Sequence, residues 1–244
     1  MDIRNEFKRK FLNEEFVKTN REASMDTLVG NSTLEIVGTS FIADEDVIFG
    51  KLSYDYIAKE EKWYNSMSLN VNDIPGGAPA IWKSVADKDG FINSNYGYLI
   101  YSEKNHNQYL CAFHELSKNP ESRRAIMIYT RPSIWYEYNE NGRSDFICTN
   151  TVQYLIRDGK LTAVVNMRSQ DSIFGHKNDR HFQLQIQTKL AKDLNVDVGD
   201  LIWQTGSLHV YSRHFFLVDH FAKTGEIHIS KEDYLQKYPN SPFV

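Results

Sequence analysis

"FICTNTVQYLIRDGKLTAVVNMRS", residues 146–169, decides how this chain folds. Two runs rich in β-branched and apolar residues flank Asp158-Gly159, a dipeptide that tolerates positive φ at both central positions of a two-residue turn. The runs therefore read as an antiparallel hairpin. "AIMIYT" (125–130), "LIWQTGSLHVYS" (201–212) and "STLEIVGTSFIADEDVIFG" (32–50) have the same strand-like composition. Further out, helical periodicity takes over. Residues 1–20 space Ile3, Phe7, Phe11 and Phe16 along one amphipathic face. Residues 54–67 set Tyr54, Ile57, Ala58, Glu61 and Tyr64 on a face broken by one charge, which marks a helix with something polar to reach. Residues 106–116 group Tyr109, Leu110, Phe113 and Leu116 before Asn119-Pro120 ends the turn. Helices are also expected over 178–194 and in "HFFLVDHFAK" (214–223). Strands and helices are segregated more than alternated, which gives an α+β fold with a mixed or antiparallel sheet and flanking helices. No repeat, biased segment or linker divides residues 1–244, so one domain is expected.

Composition narrows the function. With 41% hydrophobic and 13% aromatic residues the chain can fill a core, and its net charge of −4 argues against holding nucleic acid by bulk phosphate neutralisation. Two cysteines, Cys111 and Cys148, are too few and too far apart for a disulfide framework or a zinc cluster, so a reducing cytoplasm and no metal are expected. No apolar run approaches the roughly 20 residues that span a membrane, and "MDIRNEFKRKF" is too charged for a signal peptide. The Asn31-Ser32-Thr33 sequon then carries no message. A Walker loop and a G-x-G-x-x-G stretch are absent, and "CAFHELS" lacks the second histidine of a zincin.

Cys148 taken alone is a small apolar residue filling a strand. A nucleophilic cysteine needs cations or hydrogen-bond donors that favour its thiolate. The strand-rich half supplies candidates: Arg123 and Arg124 in "ESRRAIM", Arg168 and Ser169 in "NMRSQD", His209 and Tyr211 in "GSLHVYSRH". Each has an ordinary reading as a solvated pair, a salt bridge or a cap. Together they suit a nucleotide, since arginine forks and a serine hydroxyl match a phosphate monoester, and a His and a Tyr on one strand face match a sugar hydroxyl.

"YTRP", "CTNTVQ", "NMRSQDSIFGHKND" and "GSLHVYSRH", in this order and spacing, resemble the thymidylate synthase superfamily, and within it the deoxycytidylate hydroxymethylases of T-even-type phages. The resemblance runs from about Glu35 to Lys231. It implies that Cys148, with Gln153 five positions on, adds to C6 of a pyrimidine. Arg123, Arg124, Arg168 and Ser169 become phosphate ligands, the first two donated across a homodimer interface formed by the sheet. His209 and Tyr211 hold the deoxyribose 3′-hydroxyl. Glu60, placed in register by Trp63, relays protons through water on the C4 side, and Tyr96 lies near the proton leaving C5. Asp171 and Trp82 hold the co-substrate, 5,10-methylenetetrahydrofolate. The implied protein is a cytoplasmic transferase acting on dCMP, with no membrane and a possible place in a nucleotide-precursor enzyme complex.

Covalent addition at C6 turns the poorly nucleophilic C5 into an enamine-like carbon. After one-carbon transfer, hydride gives a methyl group and water gives a hydroxymethyl group. Asp179 stands where thymidylate synthases carry asparagine; a carboxyl sharing a proton with N3 and accepting from the N4 amino group suits cytosine, whereas an Asn amide suits uracil. An isolated Asp there would read as a helix N-cap. The stretch "MDTLVGNSTLEI" lacks the family's further phosphate arginine, a place open to Lys18 or Arg21. Thr149 stands where the synthases have histidine, and Val85 where they have a second tryptophan. Thymidylate or deoxyuridylate chemistry and a non-catalytic scaffold are the competing readings.

Overall fold

Asp158 and Gly159 take φ of 49° and 74° and reverse the chain between two long strands, as the Asp-Gly pair leads one to expect. The computed structural model describes residues 2–18 and 32–243. Among these residues the strands are β1 (Phe16–Lys18), β2 (Ser32–Ile42), β3 (Ile126–Ile128), β4 (Thr149–Arg157), β5 (Lys160–Asp171) and β6 (Asp197–Tyr211). The helices are α1 (Ile3–Leu12), α2 (Tyr54–Ser66), α3 (Ala80–Val85), α4 (Tyr96–Tyr101), α5 (Gln108–Lys118), α6 (Ile134–Glu137), α7 (Gly175–Asp193), α8 (Phe215–Thr224) and α9 (Lys231–Lys237). Hydrogen bonding orders the sheet β1-β2-β6-β5-β4-β3, with β1/β2, β3/β4 and β4/β5 antiparallel. The α+β class is observed.

The chain forms two compact units. The first comprises residues 1–52, 169–180 and 204–244; the second comprises 53–168 and 181–203. In the first, α1 buries Ile3, Phe7 and Phe11, starting at the Asp2 side chain, which accepts from the Asn5 N–H. The helix does not continue to Phe16. Glu14 takes φ of 56°, the helix stops, and Phe16 enters β1, where it stacks 5.0 Å from Phe215. Phe11 meets Phe243 at 4.8 Å in the same aromatic cluster. Strand β2 ends at Ile42, short of the extended run over 32–50, and Arg180 donates to the carbonyls of Ala43 and Asp44 and to the Asp46 carboxylate beyond it.

In the second unit, α2 begins at Ser53, whose hydroxyl caps Tyr56 N–H, and ends at Met67 in the left-handed region. It buries Ile57, Glu60, Trp63 and Tyr64, while Tyr54 is exposed, so the charge in its apolar face is Glu60 and not Glu61. Helix α5 buries Tyr109, Ala112 and Leu116; Leu110 faces out, one position off the expected stripe. The core is an aromatic run in which Tyr64 stacks on Tyr96 at 5.4 Å and Tyr96 meets Tyr129 edge-on at 5.3 Å. Gly97 makes this contact possible: a Cβ there would lie 1.8 Å from the Tyr64 carbonyl oxygen.

Candidate active site

Cys148 is half-buried and immediately precedes β4, outside the strand itself. The register between β4 and β5 shifts from Thr149 to Thr151, a bulge-like irregularity of the kind that re-aims side chains at a strand end. Arg168, opposite on β5, donates its backbone N–H to the Cys148 carbonyl at 2.9 Å. Its guanidinium then folds back. Nε donates to the Ile147 carbonyl at 3.1 Å, Nη2 donates to the Phe146 carbonyl at 2.6 Å, and Nη2 lies 3.5 Å from Cys148 Sγ. The Phe146 ring lies under it at 4.8 Å. This is a cation held rigidly beside a sulfur, the arrangement that favours a thiolate.

Thr149, next to the cysteine, donates its hydroxyl to the Tyr96 phenol oxygen at 2.9 Å in the buried core. Asp145, three residues before the cysteine, accepts from the backbone N–H groups of Asn93 and Ser94 at 2.6 and 2.8 Å and from the Ser94 hydroxyl at 2.6 Å. Burial raises its carboxyl above the ordinary range against these three donors. Cys148 and Tyr96 are therefore tied on both sides of the cysteine. Asn95 extends the tie to α2 by donating to the Trp63 carbonyl at 3.1 Å.

Glu60 lies on the buried face of that helix. Its Oε1 accepts from the Tyr56 hydroxyl at 2.7 Å and from Trp82 Nε1 at 3.3 Å, while the same indole N–H is 3.0 Å from the Tyr56 oxygen. Burial pushes the Glu60 carboxyl up to about 7, with the two donors pulling the other way. A carboxyl balanced near neutrality can both give and take protons.

Arg123 and Arg124 stand elsewhere in the second unit. Both are exposed, and Arg124 pairs with Glu115 at 3.0 Å. The Gln153 amide donates to the Arg123 carbonyl at 2.8 Å. Five residues of strand separate Gln153 from Cys148, roughly 16 Å of β-strand rise.

In the first unit, Ser169 and Asp171 end β5, and Asp179 lies inside α7, which starts at Gly175. The helix expected from about Asn178 thus starts three residues earlier, and Asp179 is not at its N-cap. Gln170 Nε2 donates to Asp179 Oδ2 at 2.7 Å. Asp171 Oδ1 accepts from the Ile173 N–H at 2.8 Å; desolvation raises its carboxyl, opposed by that bond and by the charges of His209 and Arg213. His209 and Tyr211 do alternate along β6, ring centroids 4.8 Å apart. Ser207 Oγ stands 3.4 Å from His209 Nδ1 and donates to the Glu35 carboxylate. Sequence reasoning passed over Gln170, Asp145 and Tyr56; of these, only Tyr56 left a signal, its spacing of four from Glu60 on a helix. Arg21, Asn31 of the sequon and the side chain of Lys18 lie outside the described residues. Among the described residues no His, Cys, Asp and Glu group could hold a metal ion, and no helix is long and apolar enough to cross a membrane.

A family model described as thymidylate synthase matches residues 30–231. The deoxycytidylate 5-hydroxymethyltransferase of Enterobacteria phage T4 is 58% identical over 216 residues, covering 86% of this chain and 88% of that protein. The protein of the same name from Enterobacteria phage T6 is 58% identical over 212 residues, covering 84% and 86%. A thymidylate synthase of Bacillus atrophaeus is 28% identical over 172 residues, covering 67% and 73%. Among solved structures, thermostable thymidylate synthase A from Bacillus subtilis shares the fold with a TM-score of 0.63 at 24% identity, covering 79% of this chain and 71% of that one.

Proposed function

The chain belongs to the thymidylate synthase family, and on that premise we propose that it is a deoxycytidylate 5-hydroxymethyltransferase making 5-hydroxymethyl-dCMP from dCMP and 5,10-methylenetetrahydrofolate. One observation carries this reading: 58% identity over most of both chains to proteins of that name, against 28% to the synthases. The folate supplies one carbon at the oxidation level of formaldehyde. Trp82 fits such a ligand, because it offers a half-buried indole beside Glu60, a flat apolar wall suited to a pterin; Asp171 is assigned by the resemblance as the carboxyl for its ring N–H groups.

Cys148, favoured as thiolate by Arg168, adds to C6 and makes C5 nucleophilic. Arg168 and Ser169 bind the 5′-phosphate, and His209 and Tyr211 bind the 3′-hydroxyl. Asp179, oriented by Gln170, reads the N3 and N4 edge of cytosine. Tyr96, whose phenol oxygen is occupied by the Thr149 hydroxyl, stands by the proton that leaves C5. Once the nucleotide carries an exocyclic methylene, water adds to that carbon and its proton passes to Glu60. The methylene π pair returns to the ring, re-forms C5=C6 and expels the Cys148 thiolate, so atoms and charge balance.

Arg123 and Arg124 serve a second copy of the chain in this reading. Two features support it: their distance along β4 from their own Cys148, and the outward face of β3, where Ile126 and Ile128 are 40% and 53% exposed around buried Met127. We further infer that residues 1–244 work as one catalytic domain. The enzyme acts in the cytoplasm, for modified DNA precursors of a phage, where a precursor-enzyme complex is a natural partner. The product of incubation with dCMP and the folate tests the proposal. It should be heavier than dCMP by one CH2O unit; preference for dUMP with accumulation of dihydrofolate would overturn it.

A further inference from the structure

Glu60 has a partner that the family resemblance does not assign. Tyr56 lies one helical turn before it on α2, so the two side chains share a face. Its hydroxyl donates to Oε1 at 2.7 Å, and the Trp82 indole N–H, 3.0 Å from the phenol oxygen and 3.3 Å from the carboxylate, closes a triangle on the same atom. Helix α2 brings Tyr56, and α3 brings Trp82. Among the described residues these are the two that donate to the carboxyl, whereas the charged neighbours on its own helix, Lys59 and Asp55, pair with each other at 2.6 Å on the surface. We propose that Tyr56 is a positioning residue for Glu60, its hydroxyl holding the side chain in one rotamer and stabilising its ionised form, so that Oε2, outside the triangle, takes the proton of the attacking water.

The chemistry of water addition makes this bond consequential. Water is a poor nucleophile until a base begins to remove its proton, and a buried carboxyl that stayed neutral could not do so. Burial alone drives Glu60 toward the neutral form; the donors from Tyr56 and Trp82 are the opposing force. Trp82 can satisfy the phenol oxygen and the carboxylate from one N–H only by sharing it, so the stronger donor to Glu60 is the shorter one, Tyr56. Because Tyr56 acts through Glu60, its loss should leave nucleotide binding alone.

The inference rests on the hydroxymethyltransferase reading for its role in turnover, but the hydrogen bond can be tested without turnover. In the ligand-free protein, the Glu60 carboxyl band is isolated by infrared difference against Glu60→Gln and titrated. Tyr56→Phe should move the midpoint up by about one pH unit, the worth of one donor to a carboxylate. The acid limb of kcat for 5-hydroxymethyl-dCMP should move up in parallel, with KM for dCMP unchanged. An unmoved midpoint overturns the proposal, and so does a moved midpoint with an unmoved kcat profile. If the wild-type protein makes no 5-hydroxymethyl-dCMP, the functional reading fails, and the titration still decides whether Tyr56 governs Glu60.

Discussion

The Arg168 guanidinium stands 3.5 Å from Cys148 Sγ and is fixed there by the carbonyls of Phe146 and Ile147, residues of the cysteine's own approach to β4. The arginine is thus part of the same backbone corner as the sulfur, and it cannot swing away without breaking two further bonds. Replacing it by methionine keeps length and apolar contact with Phe146 but removes the charge. Alkylation of Cys148 by iodoacetamide near neutral pH should slow roughly tenfold in Arg168→Met, read in a Cys111→Ser background because Cys111 is exposed. An unchanged rate would show that the guanidinium does not activate the sulfur.

Glu60 makes the second prediction, one of stability. Its carboxyl is raised from 4.5 to about 7 by burial, so the folded protein keeps a proton that the unfolded chain releases earlier. The stability this group contributes is full below the lower value and is lost as pH rises through the higher one. Glu60→Gln locks in the neutral form. Its advantage over wild type should grow across that window and level off above it at about 3 kcal/mol. Urea unfolding on the acid and alkaline sides measures this, and an advantage independent of pH contradicts it.

Local chemistry was legible and long-range closure was not. Asp158-Gly159 announced the hairpin because turn geometry is decided by two residues. Phe16 continued the apolar spacing of α1 yet lies in β1, since periodicity carries no stop signal and the break comes from Glu14 entering positive φ. On α2 the apolar spacing put Glu61 on the buried face, while the resemblance, in register with Trp63, named Glu60. The buried carboxyl is Glu60, and of its two donors Tyr56 is local on the helix and only Trp82 is brought by tertiary packing. Asp145 was invisible: its partners Asn93 and Ser94 are more than fifty residues away, and nothing in "RSDF" distinguishes a buried staple from a loop acid.

Asp145 supplies the third prediction. Its two oxygens accept from three donors inside the protein. Asparagine at this position turns one acceptor into a donor facing another donor. Asp145→Asn should cost about 2–4 kcal/mol of unfolding free energy, as an opposed buried pair requires. Equal urea midpoints for the variant and wild type would refute the staple.

Asp179 carries the last prediction, about the base. Gln170 is 3% exposed and donates to Asp179 Oδ2, so one oxygen is already committed and the carboxyl cannot rotate freely to suit any ring. Cytosine presents an acceptor at N3 beside a donor at N4; uracil presents the reverse pair. In Asp179→Asn the Gln170 donor will hold the amide oxygen in the committed place, which turns the amide N–H2 toward the remaining position. That group can donate to O4 of uracil and opposes the N4 amino group of cytosine. A polar site left with opposed donors discriminates by orders of magnitude, so kcat/KM for dCMP should fall at least ~100-fold while turnover of dUMP rises from its wild-type level. Gln170→Leu gives the control: without the donor the amide can flip, and the double variant should recover part of the lost dCMP activity. If Asp179→Asn still prefers dCMP, Asp179 does not read the base.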